Sequence, residues 1–151
     1  MNANITVALR WYLWILMSGL LLQGLVSLVF RLNPSLAAAA PYLVRGIFGI
    51  DLWHAWIHIA WGSLSIVILV RSSARKSLIW LGVAFGVFYT ALGIVGVQIH
   101  HPLGLELDAF ENAFHLTAGP ATLLVALLDA CRGAKTEPQN RSQRQMPSSP
   151  S

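Results

Sequence analysis

Four long apolar runs decide what this chain can become. They cover about residues 7–30, 52–70, 78–99 and 109–128. A run of roughly 18 or more apolar residues reads as a membrane span, because ~20 residues of helix cross the hydrocarbon core. Together the runs use most of the 151 residues, so no separate soluble domain remains. Charged residues make up 11% of the chain, against about 25% in an ordinary soluble domain. The expected fold is all-α: a four-transmembrane-helix bundle in one domain, residues 1–135. A tail of Ser, Pro, Gln and Arg, residues 136–151, is expected to be disordered in the cytoplasm.

A formal net charge of +4 could suggest a nucleic-acid partner, but the cations gather at span ends. Arg10, Arg71, Arg75, Lys76, Arg132, Lys135, Arg141 and Arg144 fall on one side of a four-span topology, and Arg31 and Arg45 on the other. The positive-inside rule then puts both termini in the cytoplasm. Its expected partner is the lipid bilayer, with no nucleic acid. The single cysteine, Cys131, has nothing to pair with inside the chain. The first apolar run exceeds the 7–15 residues of a signal-peptide core, so it is expected to be retained despite the alanines at 37–40.

Several local features follow from the same frame. Trp11, Tyr12 and Trp14 read as an interfacial aromatic belt. Gln23, in mid-span, is expected to hydrogen-bond to a neighbouring helix. Ser35 is placed to cap a short helix lying in the interface. The short basic link 71–77 makes the second and third spans antiparallel neighbours. Gly82, Gly86, Thr90 and Gly93 form a small-residue stripe, which serves close packing within the bundle ahead of assembly into a homodimer or larger complex. Pro120 should kink the fourth span near Leu116.

The second and fourth spans open alike. Asp51, His54, His58, Gly62 and Ser65 recur as Asp108, Glu111, His115, Gly119 and Thr122, at a constant offset of 57 residues. At about 100° per residue, each set shares one helix face. A polar face on an apolar span should look at protein or water, not lipid. Spans one–two and three–four are therefore expected to form two similar hairpins, related by a pseudo-two-fold axis along the membrane normal. This topology gathers all five histidines at the extracytoplasmic end: His54, His58, His100, His101 and His115. Asp51, Glu106, Asp108 and Glu111 join them there.

Three readings of that cluster stand side by side. In the first, the acids only cap helices: Asp108 and Glu111 make an acidic capping box, and Asp51 is an N-cap. The protein is then a structural or accessory membrane subunit with no cofactor. In the second, His54, His58, Glu111 and His115 ligate a transition metal such as zinc, copper or iron. Asp51, Asp108 and His100 would orient the ligand rings from behind. In the third, His58 and His115 hold a b-type haem for electron transfer, with Gly62 and Gly119 leaving room beside the macrocycle. No nucleophile triad or phosphate-binding loop identifies an enzyme. The ionisable groups stop near one membrane surface, which argues against a through-membrane relay.

Two segments carry a family resemblance: Trp56-Ile57-His58-Ile59-x-x-Gly62, and Asn112-Ala113-Phe114-His115-Leu116-x-x-Gly119. The pattern resembles bacterial families of uncharacterised four-helix integral membrane proteins, with H-x-x-x-G in the second and fourth spans. The resemblance implies the fold and the inner-membrane location. It brings no activity, so no residue role comes with it.

Overall fold

The computed structural model describes residues 3–46, 48–99, 102–105 and 107–144. Among these, six α-helices run in order: α1 (Ala3–Leu32), α2 (Pro34–Ala39), α3 (Pro41–Gly46), α4 (Leu52–Arg71), α5 (Arg75–Gln98) and α6 (Ala109–Arg144). One 3-10 turn, Pro102–Gly104, precedes α6. Four of the helices are long and apolar enough to cross a membrane: Val7–Leu32, Leu52–Arg71, Arg75–Gln98 and Ala109–Arg132. A helix satisfies its own backbone hydrogen bonds, which a lipid environment requires.

The side chains sort as a membrane bundle should. Leu9, Leu13, Met17, Leu69, Leu78, Phe85 and Tyr89 are buried in the centre. Large apolar side chains such as Ile15, Leu22, Trp53, Leu64 and Trp80 stand exposed on the outside. Water would not tolerate so much exposed apolar surface on a monomer, whereas lipid does.

Packing is tightest within two hairpins, α1 with α4 and α5 with α6. Glycines set that closeness. A Cβ on Gly24 would stand 2.7 Å from the Ala55 carbonyl oxygen, and one on Gly62 would stand 2.7 Å from Leu21 Cβ. In the second hairpin, a Cβ on Gly86 would meet Leu123 at 2.8 Å, and one on Gly93 would meet Leu116 at 2.9 Å. With no hydrophobic drive between helices in lipid, such backbone approach is how they gain contact. The small-residue stripe of α5 therefore packs inside the bundle.

Spans two and three are less intimate than their short link suggests. The α4–α5 contact is made by large rings: Trp61 lies 6.0 Å from Phe85 and 5.6 Å from Phe88, centre to centre. Aromatic side chains hold those backbones apart where glycines would let them close.

The duplication is visible in three dimensions. The second helices of the hairpins correspond at an offset of 57 residues. The first helices correspond at 69, which carries Gly24 to Gly93 and Leu21 to Thr90. A Cβ on Gly24 would lie 3.0 Å from His58 Cβ, and one on Gly93 would lie 3.0 Å from His115 Cβ. Gly62 closes on Leu21 as Gly119 closes on Thr90.

Three local expectations are corrected. The short helix after the first span is capped by Asn33, whose side chain accepts from Leu36 N, and Ser35 donates to Asn33 Oδ1 at 2.7 Å. Asparagine one residue before Pro34 at the first helical position is the stronger start signal. Tyr12 does not belong to the interfacial belt; its hydroxyl is 2.9 Å from Thr122 Oγ1 on α6. Helix α6 continues to Arg144, beyond the expected start of the tail at 136. Ala134, Lys135, Glu137 and Gln139 carry adequate helix propensity, and a helix already nucleated extends at little cost.

Candidate metal centre

The buried residues of α4 are His54, Ala55, His58, Gly62, Ser65 and Leu69. They carry the polar face expected from the repeat, which turns inward. On α6 the matching buried positions are Glu111, His115, Gly119, Thr122 and Ala126. Turning both faces inward brings the histidines together. One ring nitrogen from each of His54, His58 and His115 lies within 4.8 Å of the others. The ring centres of His54 and His58 are 4.5 Å apart, and those of His54 and His115 are 5.4 Å apart.

The helix ends explain how these rings are held. Asp51 caps α4, with its Oδ1 accepting from His54 N at 2.9 Å. Asp108 Oδ1 accepts from Glu111 N at 2.8 Å, while Glu111 Oε2 accepts from Asp108 N at 3.2 Å. This is a reciprocal capping box, with glutamate at the third position. Both aspartates cap their helices, each accepting from the first-turn N–H three residues on. His100, His101 and Glu106 lie outside the described residues.

Glu111 sits beside the cluster rather than within it. Its Oε1 is 3.4 Å from His54 Nδ1. The approach has ion-pair distance but not the alignment of a hydrogen bond, so His54 Nδ1 has no hydrogen-bond partner. The capping box explains the position: with Oε2 held at the backbone of Asp108, only Oε1 is left to turn towards His54.

All six ring nitrogens of His54, His58 and His115 are buried and without a hydrogen-bond partner. Leaving a buried polar group unpaired costs about 1–3 kcal/mol. Three such rings side by side are therefore costly as pure packing. Neutral imidazoles are borderline donors that suit zinc, copper, iron and nickel. A tetrahedral site with ~2.0–2.1 Å bonds needs nitrogens ~3.3 Å apart, a small closure from the spacing present. The cluster can hold a metal ion.

A haem fits less well. Gly62 and Gly119 were expected to leave space for a macrocycle. A Cβ on Gly62 would be 2.9 Å from Leu21 Cα, and one on Gly119 would be 2.6 Å from Thr90 N. Both glycines are covered by the backbone of the other helix in their own hairpin.

Three features escaped the sequence reading. Tyr89 stands against the cluster, its ring centre 5.0 Å from His115 and 6.2 Å from His58, and its buried hydroxyl has no hydrogen-bond partner. It lies four residues before Gly93 on the small-residue face of α5, which was the available signal. Gly24 was legible only through its offset from Gly93. The pair between Arg75 and Asp129, at 2.9 Å, joins two residues 54 positions apart and had no pattern to announce it.

No family model, curated protein or solved structure matches the chain.

Proposed function

We propose that this is a multi-pass protein of the inner membrane that binds a transition metal through His54, His58 and His115. Both termini lie in the cytoplasm in this reading, so the site is at the extracytoplasmic end. The observation that carries it is the group of six buried ring nitrogens with no hydrogen-bond partner, on three histidines already close together. A bound ion gives one nitrogen of each ring a partner. Glu111, held by the capping box with Oε1 3.4 Å from His54 Nδ1, is placed to orient that ring when its other nitrogen takes an ion. The carboxylate also offsets part of the ion's charge in a region where an unpaired charge is expensive. The family likeness to uncharacterised four-helix membrane proteins belongs to the same reading, supported by the repeated H-x-x-x-G motif.

The test is metal content by elemental mass spectrometry, on untagged protein purified in mild detergent without chelator. Near-stoichiometric zinc, copper or iron is expected, with loss in the His58→Leu, His115→Leu double variant. No metal above background, even after reloading with each ion in turn, would overturn the reading. Helix packing would then be the sole role of the cluster.

A further inference from the structure

At the end of the bundle opposite the histidines, α4 and α5 part to leave a groove on the lipid-facing side, about 550 Å³ in volume. That is within the ~300–1,000 Å³ range of small-ligand sites. Its walls are apolar, with Trp61, Leu64, Ile68 and Trp80 among them, and its mouth carries Arg71, Ser72 and Ser77.

The cations near this mouth differ in what they are committed to. Arg10 donates to the Leu69 carbonyl at 2.6 Å, satisfying the last turn of α4. Arg75 is paired with the buried Asp129. Among the described residues the ion pairs are His54–Glu111 and Arg75–Asp129, so Arg71 has no acid within ion-pair distance. It is exposed, at the last position of α4. At the start of α5 the N-cap Ala74 offers no side-chain cap; Ser72 Oγ accepts from Ala74 N at 3.3 Å and Ser77 N donates to the Ala74 carbonyl at 3.0 Å, which leaves the N–H groups of Arg75 and Lys76 uncapped. Uncapped N–H groups at a helix start favour an anion.

We propose that this groove binds one anionic phospholipid, with an acyl chain along Trp61, Leu64 and Trp80 and the phosphate at Arg71 and the two serines. An apolar channel with an uncommitted guanidinium at one end matches an amphiphile of opposite charge. Basic pockets between transmembrane helices recognise acidic headgroups in this way, and arginine matches phosphate geometry with two parallel donors. The site is independent of the histidine cluster and stands whether or not a metal binds there.

Nanodiscs of equal parts phosphatidylglycerol and phosphatidylcholine, with matched chains, provide the test. Native mass spectrometry of the full-length protein released from them counts the lipids that stay bound. Phosphatidylglycerol should be enriched, and Arg71→Gln should lower its ratio to phosphatidylcholine about fivefold, the worth of one cation near an acidic lipid. Arg71→Lys should keep most of the preference. Ala84→Phe, which fills the groove from its exposed wall, should reduce retention of lipid with the charge intact. Equal retention of the two lipids would overturn the proposal. So would an equal drop in the ratio on Arg132→Gln, which would mean a diffuse positive field, or unchanged retention in Ala84→Phe.

Discussion

Among the described residues, two of the buried polar groups lie near opposite ends of this bundle and are accommodated differently. Asp129 is 1% exposed and is met by Arg75, whose Nε donates to Oδ2 at 2.9 Å and whose terminal nitrogen donates to the Asp129 carbonyl. The charge has its counter-charge, leaving only Oδ1 without a partner. His54 and His115 are 0% exposed and His58 is 1% exposed, yet none of their ring nitrogens has a hydrogen-bond partner. The first group is complete as a structural device linking α5 to α6. The second is costly unless something else enters it. The difference separates a charge whose partner is built into the fold from three rings whose nitrogens have none.

The strongest way to break that comparison is the His58→Leu, His115→Leu double variant. It should lose metal entirely by elemental analysis, while the thermal midpoint of the metal-free protein holds or rises. Replacing unpaired buried polar groups with apolar ones of similar size is close to neutral. A large drop in metal-free stability would make the histidines structural, like Asp129.

Arg75→Ala is the mirror experiment. Removing one partner of a buried pair leaves an uncompensated charge, worth 3–5 kcal/mol when the pair is fully buried. Arg75 is 35% exposed, so about 3 kcal/mol is expected, read as reduced resistance to denaturant in detergent. Metal content should not change.

Glu111→Gln tests the acid behind His54. Outer partners of ligating histidines are worth 10–100-fold in affinity, so metal titration should show weakening of about that size. Stability should fall only slightly, because glutamine also completes a capping box. A complete loss of binding would make Glu111 a direct ligand.

The smallest effect expected is from Asp51→Ala. Loss of an N-cap costs about 1 kcal/mol, visible as a modest drop in thermal midpoint. Metal affinity should fall less than in Glu111→Gln. A larger fall would mean that Asp51 acts on the site and not only on the start of α4.

Much of this was legible in the chain. Four apolar runs dictate four helices, since in lipid the backbone must satisfy itself locally. The spacing Asp51, His54, His58, Gly62 and Ser65, repeated 57 residues on, places a polar stripe on one helix face, and helical periodicity is a property of sequence alone. The buried faces of α4 and α6 are those stripes. The capping role of Asp108 and Glu111 was readable too, because a cap is set by residues three apart.

What sequence could not decide was distance between helices and the division of roles among the acids. Gly62 and Gly119 looked like space for a cofactor, but space exists only where no other chain segment comes, and Leu21 and Thr90 come there. Glu111 was expected to join His54, His58 and His115 across the two helices, and the packing sets its Oε1 3.4 Å from His54 Nδ1. Tyr89 joined the cluster and Arg75 found Asp129 across gaps that no periodicity spans. Local rules settle which face of a helix is polar; only the packing of the four helices settles what that face meets, because contact across a bundle depends on side-chain volume and depth summed over every helix at once.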